Sequence, residues 1–192
     1  MSAIATLRAR TAARHKEVDA VFGAISLDRP DTYRAFLTAH ARALPSAEAA
    51  LAETPGLPSW RPRAPLLAQD LGDLGVPLPA VLPLALPSEP WAWGVLYVVE
   101  GSRLGGALLA RGVGPGLPQR YLAAAFEPGE WRALRSAIDA EASRHDHAWL
   151  EEAISGAEAC FALYRRAAEQ DQGARSSIGA VTITRKPGSP SV

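Results

Sequence analysis

The stretch Val95-Leu96-Tyr97-Val98-Val99-Glu100-Gly101-Ser102-Arg103-Leu104-Gly105-Gly106 decides the fold, because the rest of the chain has to be arranged around it. It carries no charge before Glu100, so its first part is expected in the protein interior. Three glycines then follow within six residues. Each glycine inside a helix costs about 1 kcal/mol relative to alanine. We therefore expect them to serve close helix packing, a kink, or the approach of a flat ligand to bare backbone.

The composition describes one neutral domain. Of 192 residues, 48% are apolar, which is enough for a sizeable core. Lys and Arg number 20 and so do Asp and Glu, so the chain lacks the basic excess of a general nucleic-acid or membrane-surface binder. The single cysteine, Cys160, excludes a disulfide framework. There is no signal sequence and no apolar run near about 18 residues, so we expect a cytoplasmic protein without membrane or nucleic-acid partners.

Apolar residues recur at spacings of three and four along most of the chain, which predicts helices. The clearest helix runs from about Ser2 to Phe22 and places Thr11 and His15 on its buried stripe. The run from Val95 to Val99 also fits a strand by composition alone. No second strand candidate of similar strength exists, so a buried helix is favoured.

The other predicted helices complete an all-α fold. A second helix is kinked or interrupted at Pro45. A short helix near residues 66–74 turns Asp70 outward, and residues 117–126 form another. The prediction is a single-domain bundle of about seven helices over residues 1–170, and its last helix ends near Glu169. The polar residues 171–192 are predicted to form a disordered tail.

His15 has two interpretations. It is a core histidine with one ring nitrogen bonded to a neighbour, or it is an axial ligand of haem iron. The second interpretation uses Asp19, one turn later, to hold the other ring nitrogen directly or through water. Thr11 lies one turn earlier on the same face. His15 alone does not decide between them.

The glycine-rich helix also has two interpretations. Small residues spaced by four are common where two helices pack closely. The functional interpretation is a helix laid across the face of a planar ligand. A histidine helix on one side and a bare-backbone helix on the other would together sandwich a macrocycle.

These segments resemble a known family. Leu7-Arg8-x-x-Thr11-x-x-x-His15 is similar to the proximal-helix signature of haem oxygenases. The segment Tyr97–Gly106 is similar to their distal helix, most of all to the bacterial branch associated with bacteriophytochromes. The resemblance covers residues 5–168 and extends to Tyr33-Arg34-Ala35-Phe36-Leu37, Asp70-Leu71-x-x-Leu74 and Ala157-x-x-x-Phe161.

The resemblance implies oxidative cleavage of haem to biliverdin, ferrous iron and CO. The reaction uses O2 and electrons from a donor such as ferredoxin or a flavin reductase. Haem is then both cofactor and substrate, so catalysis is mainly positioning. The bacterial branch further implies a bacteriophytochrome as the protein that receives the biliverdin.

The resemblance also implies the site residues. His15 would be the proximal iron ligand, and Gly101, Ser102 and Gly105 would form the distal catalytic wall. Arg8 lies where the family often places a basic contact to the haem propionates. The full set of expected haem contacts is Arg8, Thr11, Asp19, Tyr97, Gly106, Arg132, Arg135 and Phe161.

One departure from the family pattern keeps alternatives open. In animal haem oxygenases an aspartate follows the first distal glycine, whereas this chain has Ser102. One alternative is therefore a haem-binding or haem-sensing protein that does not degrade haem. Another is a thiamin-degrading or pyrimidine hydrolase of the same fold, which would need a cysteine in its pocket.

Overall fold

The fold is a bundle of helices. The structure, a computed structural model, describes residues 2–181, with side chains from residue 2 to residue 170. No strand occurs in this part of the chain, and the all-α prediction is confirmed. The helices are α1 (Ala3–Gly23), α2 (Pro30–Ala52), α3 (Ala64–Asp73), α4 (Glu89–Leu109), α5 (Arg120–Ala123), α6 (Glu130–Ala142) and α7 (His147–Val181), with a short 3-10 helix at Ala110–Gly112.

The end of the chain differs from the sequence-based boundaries. α7 continues past Glu169 to Val181. Residues 182–192, the rest of the predicted tail, lie outside the described residues, and the disorder of residues 171–192 stays a prediction. None of the helices described is long and apolar enough to cross a membrane.

Helices α4 and α7 form the centre of the bundle and cross where both carry glycine. A Cβ atom added at Gly94 would lie 1.8 Å from the carbonyl oxygen of Ala153, and one at Gly156 would lie 2.2 Å from that of Trp91. The two backbones are therefore in direct contact. Close helix packing explains these two glycines, and it leaves Gly101 and Gly105 to be explained separately.

Helix α1 lies on α7 and α6 and is fixed by polar contacts along its length. The backbone N–H of Ile4 donates to the Asp139 carboxylate at 2.9 Å. Arg10 pairs with Glu151 through two hydrogen bonds of 3.0 and 3.1 Å. Leu7 is fully buried beneath these contacts. The orientation of α1 about its own axis is thereby set, and with it the direction of the side chains farther along.

Two local predictions need correction and a third is narrowed. Pro45 lies inside α2 without interrupting it, because the surrounding residues Leu44 and Ala47 are buried in the core and hold the helix; a kink at Pro45 stays a prediction. Asp70 is buried, not exposed, since its carboxylate accepts the backbone N–H groups of Arg120 at 3.2 Å and Tyr121 at 2.9 Å. The helix predicted over residues 117–126 is limited to the single turn of α5.

His40 on α2 is enclosed by aromatic rings. The ring centroids of Phe36 and Phe22 lie 4.2 and 4.4 Å from that of the imidazole, and Nδ1 lies 2.9 Å from the carbonyl oxygen of Phe36. Burial lowers the pKa of His40 to about 4, and the hydrogen bond to Phe36 only partly opposes this. The folded protein therefore holds this imidazole neutral.

We expect the free energy of unfolding to fall in acid because of His40. The unfolded chain takes up a proton near pH 6.5, whereas the folded state takes it up only near pH 4. Stability is therefore fully present above about pH 6.5 and declines as the pH drops toward 4, by up to about 3 kcal/mol. Urea unfolding of the wild type and of His40→Phe across this range measures the difference. Equal pH slopes in the two proteins would contradict the expectation.

Candidate functional site

His15 lies on the surface of α1 and not in the core. Its side chain is 61% exposed, and Nδ1 lies 3.2 Å from the Asp19 carboxylate. The ring contacts Phe161 of α7 edge-on, with centroids 5.5 Å apart. The prediction of a buried imidazole was wrong, because α7 covers the stripe at Leu7 and Thr11 but reaches His15 mainly through Phe161. The outer side of the imidazole is open.

The orientation of this ring leaves one nitrogen free. Within residues 2–170, Nε2 of His15 has no hydrogen-bond partner, since the ring's polar contact is made by Nδ1. A carboxylate on one nitrogen fixes the tautomer and the direction of a metal-binding imidazole. His15 and Asp19 therefore have an arrangement that is common among metal-binding histidines.

The glycine face of α4 is also open. A Cβ atom added at Gly105 would have no atom within 4 Å, and one at Gly101 would meet only the Trp131 ring at 3.5 Å. Two leucines share this face at helical spacing and are exposed, Leu104 at 50% and Leu108 at 66%. Bare backbone flanked by exposed apolar side chains is a surface on which a flat apolar ligand can pack closely.

Gly106 belongs to a different face of the same helix. It is buried, and a Cβ atom there would lie 3.3 Å from the carbonyl oxygen of Leu122. The structure thus places this predicted haem contact against α5. Thr11 is likewise satisfied internally, since its hydroxyl donates to the carbonyl oxygen of Leu7 at 2.7 Å.

Tyr97 connects the glycine face with the basic residues. Its ring stacks on Trp131 of α6, with centroids 6.2 Å apart. Burial raises the pKa of Tyr97, while the positive charges of Arg8 and Arg135 lower it. Arg8 of α1 and Arg135 of α6 are therefore both close enough to interact electrostatically with this hydroxyl.

Three predicted arginines are available for an anion. Arg8, Arg132 and Arg135 are exposed, and none forms a salt bridge with a carboxylate in the described part of the chain. Most other exposed arginines of α1 and α7, such as Arg10 and Arg165, are paired. Two of the three, Arg8 and Arg135, act electrostatically on Tyr97.

The two open faces lie on neighbouring sides of α7. α1 and α4 both pack on α7 but not extensively on each other. Arg8 and His15 are two turns apart on one face of α1, and Tyr97, Gly101 and Gly105 are one turn apart on one face of α4. The charge of Arg8 acts on Tyr97, and we call the space between these two faces the α1–α4 groove.

Ser102 points away from this groove. Its hydroxyl donates to the carbonyl oxygen of Val99 at 2.7 Å and accepts from the guanidinium of Arg63 at 2.5 Å. Both contacts are on the inner side of α4, because adjacent residues on a helix face different directions. The predicted role of Ser102 in the distal wall stays a prediction. Since its side chain is directed inward, Ser102 could affect bound haem only by changing the position of the α4 backbone.

Arg63 is a residue that the sequence analysis missed. It is 1% exposed and lies in an irregular, proline-rich segment where no periodicity marks a side chain as buried. The only available signal was its position just before α3, and an arginine there is ordinarily expected in solvent.

A cavity of about 470 Å³ lies between α1, α7 and the start of α4. Phe161, whose ring contacts His15, is one of its lining residues, whereas His15 and the distal glycines do not line it. Among its charged residues, Glu17 pairs with Arg14 and with Arg165. The cavity therefore adjoins the His15 side of the α1–α4 groove at Phe161.

Cys160 does not provide a reactive thiol. It is fully buried in the core, and burial raises its pKa to about 12. A nucleophilic cysteine needs a lowered pKa and access to substrate. The hydrolase alternative, which requires a cysteine in the pocket, is therefore not supported.

Comparison with known proteins identifies relatives of the chain and of its fold. No protein-family model matches the chain. The chain is 38% identical over 145 residues to a haem oxygenase of Xanthomonas campestris pv. campestris (strain 8004), covering 70% of this chain and 87% of that protein. Its fold is similar to the crystal structure of the NO- and CO-bound haem oxygenase from Neisseria meningitidis, with a TM-score of 0.75 and 26% identity over 90% of this chain and 93% of that one.

The alignment with the Xanthomonas protein covers most of both chains. The structural match with the Neisseria protein extends over nearly the whole bundle. Both comparisons agree with the all-helical fold described above. The chain therefore belongs to the haem oxygenase family: it is an all-α haem-degrading enzyme, and haem is both its substrate and its cofactor.

Proposed function

We propose that haem binds in the α1–α4 groove, with His15 as the iron ligand and the backbone from Gly101 to Gly105 as the opposite wall. The observation that carries this assignment is the free Nε2 of His15 on a groove whose other side is a helix face without side chains. A haem in this groove supplies the iron that activates O2 and the ring that is opened. The chain's own residues hold, orient and shield it.

Each lining residue has a distinct part in this proposal. Asp19 orients the imidazole of His15 through Nδ1. Phe161 packs against the edge of that imidazole and limits its rotation. Gly101 and Gly105 let the α4 backbone approach one face of the ring, and a close wall restricts the direction that a small ligand on the iron can take.

The polar end of the groove fits the haem carboxylates. Arg8 and Arg135 lie near Tyr97, and Arg132 is one turn of α6 from Arg135. Arginine binds carboxylates through two parallel hydrogen bonds. We propose that these residues hold the propionates, so that the apolar edge of the ring lies toward Leu104 and Leu108.

The arginine assignment predicts a selective loss of affinity. Replacing Arg8 and Arg135 with alanine removes two charged contacts, and we expect haem to bind roughly 10-fold to 100-fold more weakly. Haem dimethyl ester has no carboxylate, so its affinity should be the same for wild type and variant. Fluorescence titration of both ligands measures the effect, and equal losses for the two would contradict the assignment.

A turnover assay tests the function as a whole. Hemin added to the purified protein should give a Soret band, and reduced ferredoxin or ascorbate should then bleach it and produce the biliverdin absorption. Binding without bleaching would favour the haem-sensing alternative. Absence of any binding would reject the haem site.

The chain, as a member of this family, requires haem, O2 and an electron donor from a reductase system. We propose ferredoxin or a flavin reductase as the donor and a bacteriophytochrome as the acceptor of biliverdin; the sequence resemblance supports the latter. Turnover in the presence of an apo-bacteriophytochrome should produce its far-red absorption band. The cytoplasmic location stays a prediction.

A further inference from the structure

We propose that Arg63 is a positioning residue for the distal backbone: from outside α4, its guanidinium holds the helix at the level of Gly101 and so sets how closely the glycine face approaches haem. This inference rests on the proposed haem site. It concerns a residue outside the groove.

The contacts of Arg63 are directed at one short part of α4. Its Nη2 donates to the carbonyl oxygen of Val99 at 2.7 Å and to the hydroxyl of Ser102 at 2.5 Å. These are its only side-chain hydrogen bonds within the described residues, and its buried Nε has no partner there. Val99 precedes Gly101 by two residues, and Ser102 follows it directly. A single guanidinium nitrogen therefore contacts the helix on both sides of the first distal glycine.

Arg63 is itself fixed from a different helix. Glu48 of α2 accepts the backbone N–H groups of Arg63 at 2.7 Å and Ala64 at 2.9 Å. The guanidinium also lies over the ring of Tyr121, 5.2 Å from its centroid. The chain of contacts thus runs from α2 through Glu48 and Arg63 to α4. These contacts fix the position of α4 relative to α2 and so to the rest of the fold.

The glycine face needs such a support because it has none of its own. Gly105 has no neighbouring atom within 4 Å of a Cβ position, and Gly101 has only the Trp131 ring. A helix face without side chains makes few packing contacts that could hold the helix in place. The position of α4 therefore has to be fixed by contacts on its opposite face. Arg103 contributes there too, but its partners are Glu100 on the same helix and backbone carbonyls such as that of Ala124.

The burial of Arg63 also calls for an explanation. A cation that is 1% exposed carries a large desolvation cost, and no carboxylate touches its guanidinium in the described part of the chain. An apolar residue would avoid this cost, as it often does where buried charges are replaced. The guanidinium is the group that reaches a carbonyl and a hydroxyl at once, which a lysine ammonium on a flexible stem does less well.

The test compares Arg63→Lys and Arg63→Met with Asp70→Asn. Asp70 is equally buried, but its hydrogen bonds go to α5 and not to α4, so it controls for general destabilisation. In the haem-free proteins, hydrogen exchange of the amides at residues 99–106 should accelerate about tenfold in both Arg63 variants, the effect of losing one charged hydrogen bond. Ser102→Ala should give a smaller acceleration, and Asp70→Asn should give none.

A second readout uses the bound haem. The C–O stretching band of the ferrous CO complex should shift and broaden in Arg63→Lys, because the distance between the distal backbone and the ligand becomes variable. Arg63 variants that unfold more easily yet match Asp70→Asn in both amide exchange and the C–O band would overturn the proposal. Failure of the wild type to bind haem would instead reject the haem site, while amide exchange in the haem-free proteins would still decide the role of Arg63.

Discussion

Replacing His15 with alanine is expected to abolish the Soret band of the hemin complex and to lower haem turnover by more than roughly 100-fold, since even changes to groups behind a metal ligand cost 10-fold to 100-fold. No other histidine can take over. His40 is enclosed in the aromatic core, and His145 and His147 lie at the turn before α7 and its first residue. Absorbance titration with hemin measures the loss.

The folded state of this variant should be unaffected. His15 is 61% exposed, so its truncation should change the free energy of unfolding by no more than about 0.5 kcal/mol. Added imidazole should restore part of the Soret band by occupying the space of the missing ring. His147→Ala, which removes a histidine that is 79% exposed, is the matched control and should bind hemin normally. A normal Soret band in His15→Ala would exclude this residue as the iron ligand.

Replacing Gly105 with leucine is expected to raise the stability of the haem-free protein and, at the same time, to weaken haem binding. Gly105 is exposed and has no atom within 4 Å of a Cβ position, so leucine fits the haem-free fold and should raise its stability by up to about 1 kcal/mol through helix propensity. The new side chain would fill the α1–α4 groove. We expect haem affinity to fall by more than roughly tenfold, since about 1.4 kcal/mol of lost contact already gives that factor.

Two other glycines provide the comparison. Gly72 of α3 also has nothing within 4 Å of a Cβ position. Gly72→Leu should therefore raise the free energy of unfolding by the same amount as Gly105→Leu, without any change in haem affinity. Gly94→Ala should lower the free energy of unfolding by about 3 kcal/mol or more, because its Cβ would lie 1.8 Å from the carbonyl oxygen of Ala153. Unchanged haem affinity in Gly105→Leu would show that the glycine face does not contact haem.

The glycines of α4 illustrate what periodicity predicts and what it leaves open. Their number marked the helix as unusual, and the structure separates two of the three glycines that the sequence grouped together. Gly106 packs against the backbone of Leu122, whereas Gly105 has no atom within 4 Å of a Cβ position, and its contact with a flat ligand stays a prediction. Spacing along one helix cannot distinguish these cases, because the distinction depends on which other helix lies opposite.

His15 and Asp70 show the same limit for burial. Both were assigned to a face by their spacing relative to leucines, and both assignments were wrong, in opposite directions. A hydrophobic stripe reports the average direction of the core. It does not report that α7 touches His15 mainly through Phe161, or that α5 offers backbone N–H groups to Asp70.

The sequence by itself determined the helical class, the approximate course of the main helices and the family, because these follow from local apolar spacing and from short motifs within single helices. The tertiary structure decided which faces border the α1–α4 groove, that Ser102 is directed inward, and that Arg63 supports the distal helix. Those properties depend on contacts between residues far apart in the chain, such as that between His15 and Phe161. Such contacts are fixed by the packing of whole helices, and no local pattern of residues records them.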